Sequence, residues 1–356
     1  MIELSLKDFS QTALNISLSL ASLLKKDLKL THLEKLDETT ILAINVLREG
    51  TGAYIEGAIE NSHKLIFQPT KHFSLKKISA TLPKGEPIYE FLQPLLLPTL
   101  FSGKKITFDL EGATSSAINP SYDYIKEVQL RYFTNFISKQ DFHISSAGFL
   151  GQNNGKVKLI LQSKSEFSST PLKKLNLLYY KDIIGIKLIL NTNKELMKEN
   201  FVDNIRDLFK FSFPKIPISV LPRYFEDIEG ISLDAFILFG ENNSFDNDLA
   251  FVKGQSLIAP QEFTLSSSNF QQIILDFILS LKEKISKEGI DIFLALDLIP
   301  LLGLFGGEII VEEVNKDILD VIFVVETIVD VKFKVLGNKI QCVEPYEQDI
   351  ISIDDL

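Results

Sequence analysis

Along the chain the spacing of apolar positions switches between two and three-to-four roughly every 15 residues, as strands alternating with amphipathic helices require. Residues 2–6 alternate as a short strand, and Leu14, Leu18 and Ala21 then fall on one helical face. Residues 27–30 read as strand, 41–47 as helix, and 54–58 with 64–68 as a hairpin closed at Asn61-Ser62. The rhythm repeats with a strand at 75–82, a helix at 88–101, a strand at 104–110, a helix at 122–137 and strands at 142–146 and 156–161. A third unit near the C-terminus has helices at 290–304 and 317–325 and strands at 308–311, 331–335 and 339–343.

Between the second and third units the pattern changes. Strands at 175–190, 216–221, 231–239 and 249–252 surround one helix at 194–211. Pro214, Pro217, Pro222 and the Gly240-Glu241-Asn242-Asn243 turn punctuate them. The expected fold is mixed α/β (α+β): a core of three βαβαββ repeats with a small inserted α+β domain. The expected boundaries are 1–170 and 266–345 for the discontinuous core, 171–265 for the insertion and 346–356 for an acidic tail. A helix at 269–284 returns the chain to the core.

Length and composition fit this picture. A chain of 356 residues, 45% hydrophobic and 24% charged, can bury a large core and suits two domains. The stretch 290–305 is apolar, but Asp297 and Pro300 interrupt it and it is too short to span a bilayer, so it reads as a buried helix. The N-terminus lacks the basic and apolar regions of a signal peptide.

The formal net charge of -10 argues against broad RNA binding, because neutralising many phosphates takes a basic excess. Lysines occur as scattered pairs, such as Lys25-Lys26 and Lys104-Lys105, so any RNA contact is expected to be local or indirect. The single cysteine, Cys342, permits no internal disulfide and reads as packing on a final strand. Four histidines, His32, His63, His72 and His143, show no ligand spacing, and no metal is expected. The pairs Asp203 with Asp207 and Asp246 with Asp248 lack a third ligand and read as solvated surface. Asn153-Asn154-Gly155 reads as a hairpin turn, where Asn-Gly supplies positive φ.

Four ordered segments resemble the RNA 3'-terminal phosphate cyclase family. Gly112-Ala113-Thr114 followed by Pro120-Ser121-Tyr122-Asp123-Tyr124 is similar to its Gly-x-Thr…Pro-Ser-x-Asp-Tyr run. The stretch from Ala147-Gly148-Phe149 to Gly155-Lys156-Val157 aligns without a gap on its glycine-rich hairpin. Leu97-Pro98-Thr99-Leu100-Phe101 is similar to a core-helix ending. Ile55-Glu56-Gly57-Ala58 with Phe67 and Pro69 resembles the family hairpin.

What the resemblance implies for chemistry is negative. Family members adenylylate a histidine and pass AMP to an RNA 3'-phosphate, whose ring closure expels AMP. The family's glycine-rich first turn is here Leu4-Ser5-Leu6-Lys7-Asp8-Phe9-Ser10-Gln11-Thr12-Ala13-Leu14-Asn15. Side chains fill the space that bare backbone would leave for phosphates, and Asn15 stands where an arginine would be. A further basic loop is missing around 34–38. Asp317 occupies the histidine position, and no histidine follows His143. Asp8, Thr12, Asn15 and Asp317 are therefore expected to mark a vestigial pocket with no catalytic residue, no cofactor and no small-molecule substrate. Asp317 also suits a helix N-cap or first-turn acid, and Asp8 an N-cap.

The helix Pro87-Ile88-Tyr89-Glu90-Phe91-Leu92-Gln93-Pro94 and the run Asn315-Lys316-x-x-Leu319-Asp320-x-x-Phe323 resemble the family's eukaryotic, non-catalytic branch. That likeness implies a nucleolar binding subunit of small-subunit pre-rRNA processing. Its partners would be a processome GTPase and other assembly factors, with pre-rRNA touched indirectly or locally and no membrane. The alternative is a divergent, active, ATP-dependent cyclase with a relocated nucleophile. A carboxyvinyl transferase on a related repeat fold would need basic residues clustered at a cleft, and the sequence shows none.

Overall fold

The computed structural model describes residues 1–164, 182–193, 201–226, 228, 230–240, 251–259, 268–344 and 346. The acidic tail, Asp246, Asp248, and parts of the expected strand at 175–190 and helix at 194–211 lie outside them.

The first repeat comprises β1 (Ile2–Ser5), α1 (Gln11–Leu24), β2 (Leu28–Thr31), α2 (Glu38–Thr51), β3 (Tyr54–Glu56) and β4 (Lys64–Gln68). Strands β1 and β2 pair in parallel, which obliges the chain to cross over through α1. Both helices begin on the side-chain caps that their sequences supply. Ser10 accepts from the Ala13 amide and Asp37 from the Thr40 amide, each taking up one of the orphan donors of a first turn. Gly52 ends α2 at φ 64, in the left-handed region where a Cβ is costly.

The second repeat comprises β5 (Lys77–Thr81), α3 (Ile88–Leu100), β6 (Lys105–Gly112), a helical segment, β7 (Ile137–Ser146) and β8 (Gly155–Ser163). Its sheet order, β5-β6-β8-β7, repeats the β1-β2-β4-β3 order of the first. Instead of one helix over 122–137, α4 (Tyr122–Tyr124) passes through a π-helical turn, Ile125–Gln129, into α5 (Leu130–Tyr132), and Ile137 already belongs to β7. Apolar spacing alone does not reveal such a turn, which shifts the helical register by one residue.

The segment after β8 forms a separate sheet of β9 (Ile183–Thr192), β10 (Ile218–Tyr224), β11 (Ile231–Phe239) and β12 (Phe251–Ala259), in the order β10-β9-β11-β12. Helices α6 (Phe201–Ser212) and α7 (Ser268–Ser286) pack on each other beside it.

The third repeat holds α8 (Ile292–Phe305), β13 (Gly307–Ile310), α9 (Lys316–Val325) with a π-helical extension Glu326–Asp330, β14 (Lys332–Leu336) and β15 (Lys339–Glu344). Its order, β13-β15-β14, matches the other two sheets minus their first strand. That strand survives as a single parallel bridge, Ile290 to Val311.

Helices form the inner layer. Every residue of α3 except Glu90 is buried, as is α8 from Leu294 onward, while the strands of the second repeat alternate buried and exposed with polar outer faces. Both helices carry proline, at Pro94, Pro98 and Pro300, inside an otherwise apolar core. Cys342 is buried in that core, as expected. No helix among the described residues is long and apolar enough to cross a membrane.

Candidate functional site

The N-terminal ends of α1, α2 and α9 converge. The Ser10 amide donates to Asp320 Oδ2 at 3.1 Å, and Gln11 Nε2 donates to Thr40 Oγ1 at 2.7 Å. Lys316 Nζ donates to Asp320 at 2.7 Å and to the Asp8 carbonyl, and lies 5.5 Å from the centre of the Phe9 ring. The hydrogen bond to Asp320 holds the Lys316 ammonium above the usual lysine value, with Asp317 and Asp8 adding to it. Three helix N-termini and one ammonium make this a place where an anion is favoured. In this structure Asp320 supplies the anion.

At the carboxyl ends of β1 and β2, beside the same loop, Ser5 Oγ and His32 Nδ1 are 3.1 Å apart. His32 has a φ of 55, is exposed, and its Nε2 meets no partner among the described residues. The β1–α1 loop passes between this histidine and α9.

From the mouth a polar chain runs inward between helices. Gln11 donates to Asn15, Asn15 to Gln93 Oε1 at 3.0 Å, Gln93 to the Tyr89 hydroxyl at 3.1 Å, and Tyr89 to Asp297 at 3.2 Å. Gln129 closes the chain by donating to the same Asp297 oxygen. Burial pushes the Asp297 carboxyl up to about 7, against the pull of these donors. Glu90, near the mouth and bonded by Asn119 at 2.9 Å, is also pushed up to about 7, by burial first and then by Glu86 and Asp37. Among the described residues no group of His, Cys, Asp and Glu could hold a metal ion.

Of the four pocket positions inferred from sequence, Asp8 and Asp317 meet around Lys316, and Asn15 sits in the polar chain. Thr12 is half-buried with no side-chain hydrogen bond among the described residues. Neither acid is a cap: Ser10 caps α1, Asn315 caps α9, and Asp317 lies in its first turn. Asp8 instead takes a positive φ of 62. The Asn153-Asn154-Gly155 turn also differs from expectation. The positive φ falls on Gly151, and Asn154 reaches across to the Gly85 amide and the Leu82 carbonyl. Sequence reasoning missed His32, Gln11 and Asp297 as site residues. The i, i+4 spacing of Lys316 and Asp320 was the available signal for that pair.

Two curated relatives bear on the chemistry. An RNA 3'-terminal phosphate cyclase of Thermococcus sibiricus is 23% identical over 303 residues, 83% of this chain and 81% of its own. One of Desulfurococcus amylolyticus is 27% identical over 126 residues, 35% of each chain. Both are archaeal and both are named as cyclases, so the expectation of a chain without enzyme activity is overturned. That expectation rested on residue identity at Asp317 and in the first turn. Position-by-position matching is blind to a group on a neighbouring loop, such as His32. The model of the family described as RNA 3'-terminal phosphate cyclase matches residues 10–335, from the cap of α1 to the end of β14, and the chain belongs to that family.

Proposed function

We propose that the chain is a divergent, ATP-dependent RNA 3'-terminal phosphate cyclase in which His32 takes the role of the histidine missing from α9. The observation that carries this reading is the family match over residues 10–335, which includes the two helices, α1 and α9, that the bond from Ser10 to Asp320 joins. The local geometry supports it. With Ser5 fixing Nδ1, the free Nε2 of His32 is the atom that attacks the α-phosphorus of ATP as pyrophosphate leaves. The RNA 3'-phosphate then displaces the imidazole, and the 2'-hydroxyl closes on that phosphate as AMP departs. Lys316 and the helix N-termini steady the phosphates, provided that Lys316 turns away from Asp320.

The test is incubation with ATP labelled at its α-phosphate, followed by RNA bearing a 3'-phosphate. An acid-labile adduct, a 2',3'-cyclic product, and loss of both in His32→Ala but not in Asp317→Ala are the expected results. No adduct in the unaltered protein ends the reading, and an adduct that survives His32→Ala moves the nucleophile elsewhere.

A second reading concerns where the chain works. Leu319 and Phe323 are exposed one turn apart on α9, in the run that resembles the eukaryotic branch. They favour a docking role in nucleolar small-subunit pre-rRNA processing, with a processome GTPase as partner. Affinity purification from the native cell tests it, and recovery without ribosome-assembly factors refutes it.

A further inference from the structure

The cavity between α4, β7 and the β10 end of the inserted sheet has no part in the reaction proposed above. It is small, about 210 Å3, with Lys126, His143 and Arg223 in its lining and Asp123 as the one carboxylate there. Its floor is aromatic: Tyr122 and Phe142 pack with ring centres 5.6 Å apart.

The lining carries two fixed cations, Lys126 and Arg223, against one carboxylate, Asp123, with the buried Asp234 behind it. One Arg223 nitrogen, Nη1, contacts both Asp123 oxygens, at 2.9 and 2.8 Å, so Asp123 is neutralised by a guanidinium that still has other donors. Those donors, Nε and Nη2, meet no partner among the described residues. Lys126 has a carboxylate only at 3.8 Å, on Glu127, and that group is shared with Lys187 at 2.7 Å and Arg131 at 3.6 Å. One buried carboxylate thus serves three cations. His143 borders the cavity through its backbone, and its side chain lies on the opposite face of β7 from Phe142, beside Lys158.

We infer that this cavity binds a backbone phosphate of RNA, upstream of the 3'-end that reacts. A ligand with a single compact negative charge satisfies the spare donors of Arg223 and the Lys126 ammonium together. The rest of the chain disfavours RNA, with a net charge of -10, so a local basic cavity is the kind of contact that such a surface permits. Asn119, four residues before Asp123, holds Glu90 at the mouth of the polar chain. That RNA is the source of the phosphate rests on the cyclase reading. The cavity and its cations do not.

The experiment measures binding of a fluorescent single-stranded RNA, ending in either a 3'-phosphate or a 3'-hydroxyl, across a salt series. Lys126 is 42% exposed, so Lys126→Gln is expected to fold. It should weaken both RNAs by about three- to tenfold and lower the salt slope by roughly 0.7, the value for one phosphate contact on a single strand. His143→Gln, on the opposite face of β7, should leave both unchanged. Lys210→Gln, the same charge change on α6, should do nothing. Equal losses in Lys126→Gln and Lys210→Gln overturn the site, because they report general charge. An unchanged salt slope also overturns it, as does a cavity that binds inorganic phosphate while RNA binding ignores Lys126. A cyclase that proves inactive leaves these outcomes intact, since the 3'-hydroxyl RNA tests the cavity without the reaction.

Discussion

The Ser10 amide donates to the Asp320 carboxylate at 3.1 Å across 310 positions of chain, so one hydrogen bond joins the start of the first helix to the first turns of α9. Asp320 has a side chain 10% exposed and also holds Lys316 at 2.7 Å. Bonds to a charged group in such a setting contribute about 1.5–3 kcal/mol. Asp320→Ala should therefore lower stability by that amount in urea unfolding, and Asp320→Asn by less, because an acceptor remains. The same carboxylate competes with phosphate for Lys316 and the Ser10 amide. Asp320→Asn should then bind ATP more tightly than the unaltered protein, by calorimetry. Weaker or equal binding would remove the phosphates from this site.

Asp297 gives a pH signature. Its folded carboxyl titrates at about 7, raised chiefly by burial, while an unfolded aspartate titrates near 4. Between those values the folded chain holds a proton that the unfolded chain has released. Its contribution is thus full below pH 4, declines as pH rises, and is lost above about 7. The loss is on the order of 4 kcal/mol at most. Asp297→Asn keeps an oxygen for Tyr89 and Gln129 and cannot ionise. It should be more stable than the parent at pH 8 and lose that advantage toward pH 5. Glu90 and Asp234, also raised to about 7, remain in both proteins. The difference between the two curves therefore isolates Asp297, and parallel curves would contradict the assignment.

Much of the architecture was legible because the spacing of apolar residues follows the burial of each element. The β1–α1–β2 unit, the 54–68 hairpin and the buried helix Ile292–Phe305 all follow from alternation and helical faces, whereas the caps expected at Asp8 and Asp317 fall on Ser10 and Asn315. What was not legible depends on distant chain. The π-helical turn at Ile125–Gln129 and the reduction of the third repeat's first strand to the Ile290–Val311 bridge leave no local signature. The site shows the same divide. Lys316 and Asp320 are neighbours by helical spacing. His32 becomes interesting only once β1 and β2 are paired and Ser5 is beside it. Residue matching alone led to the wrong expectation about activity.

Gly254 on β12 makes a prediction about the contact between the inserted sheet and the core. A Cβ there would lie 2.8 Å from the Tyr124 ring and 3.1 Å from Phe236, both buried. Tyr124 cannot retreat, because its hydroxyl donates to Asp291, the cap of α8. Gly254→Ala should cost about 1–3 kcal/mol through overpacking, and Gly254→Val more. Chemical denaturation checks the cost, and a neutral Gly254→Val would mean that β12 is not packed this closely on Tyr124 of α4.

Lys253, next along β12, is 1% exposed in its side chain and pairs with Glu312 at 2.8 Å. It also donates to the carbonyls of Lys284 and Lys287, tying the inserted sheet to the C-terminal end of α7 and the turn after it. Burial is the first cause lowering its ammonium below the usual lysine value, and Glu312 opposes that shift. Removing Glu312 takes away the carboxylate bonded to this buried cation, and Glu312→Gln should cost about 3–5 kcal/mol at pH 7. The unfolded chain then holds a proton that the folded chain gives up more readily, so the deficit should shrink as pH rises toward 10. Lys253→Met should cost less, because Glu312, 15% exposed, can turn to water. In the double variant Lys253→Met with Glu312→Leu no charge is buried, and stability should return most of the way to that of the parent. A double variant as unstable as the sum of the two singles would show that the pair acts independently and that the buried charge is not the source of the loss.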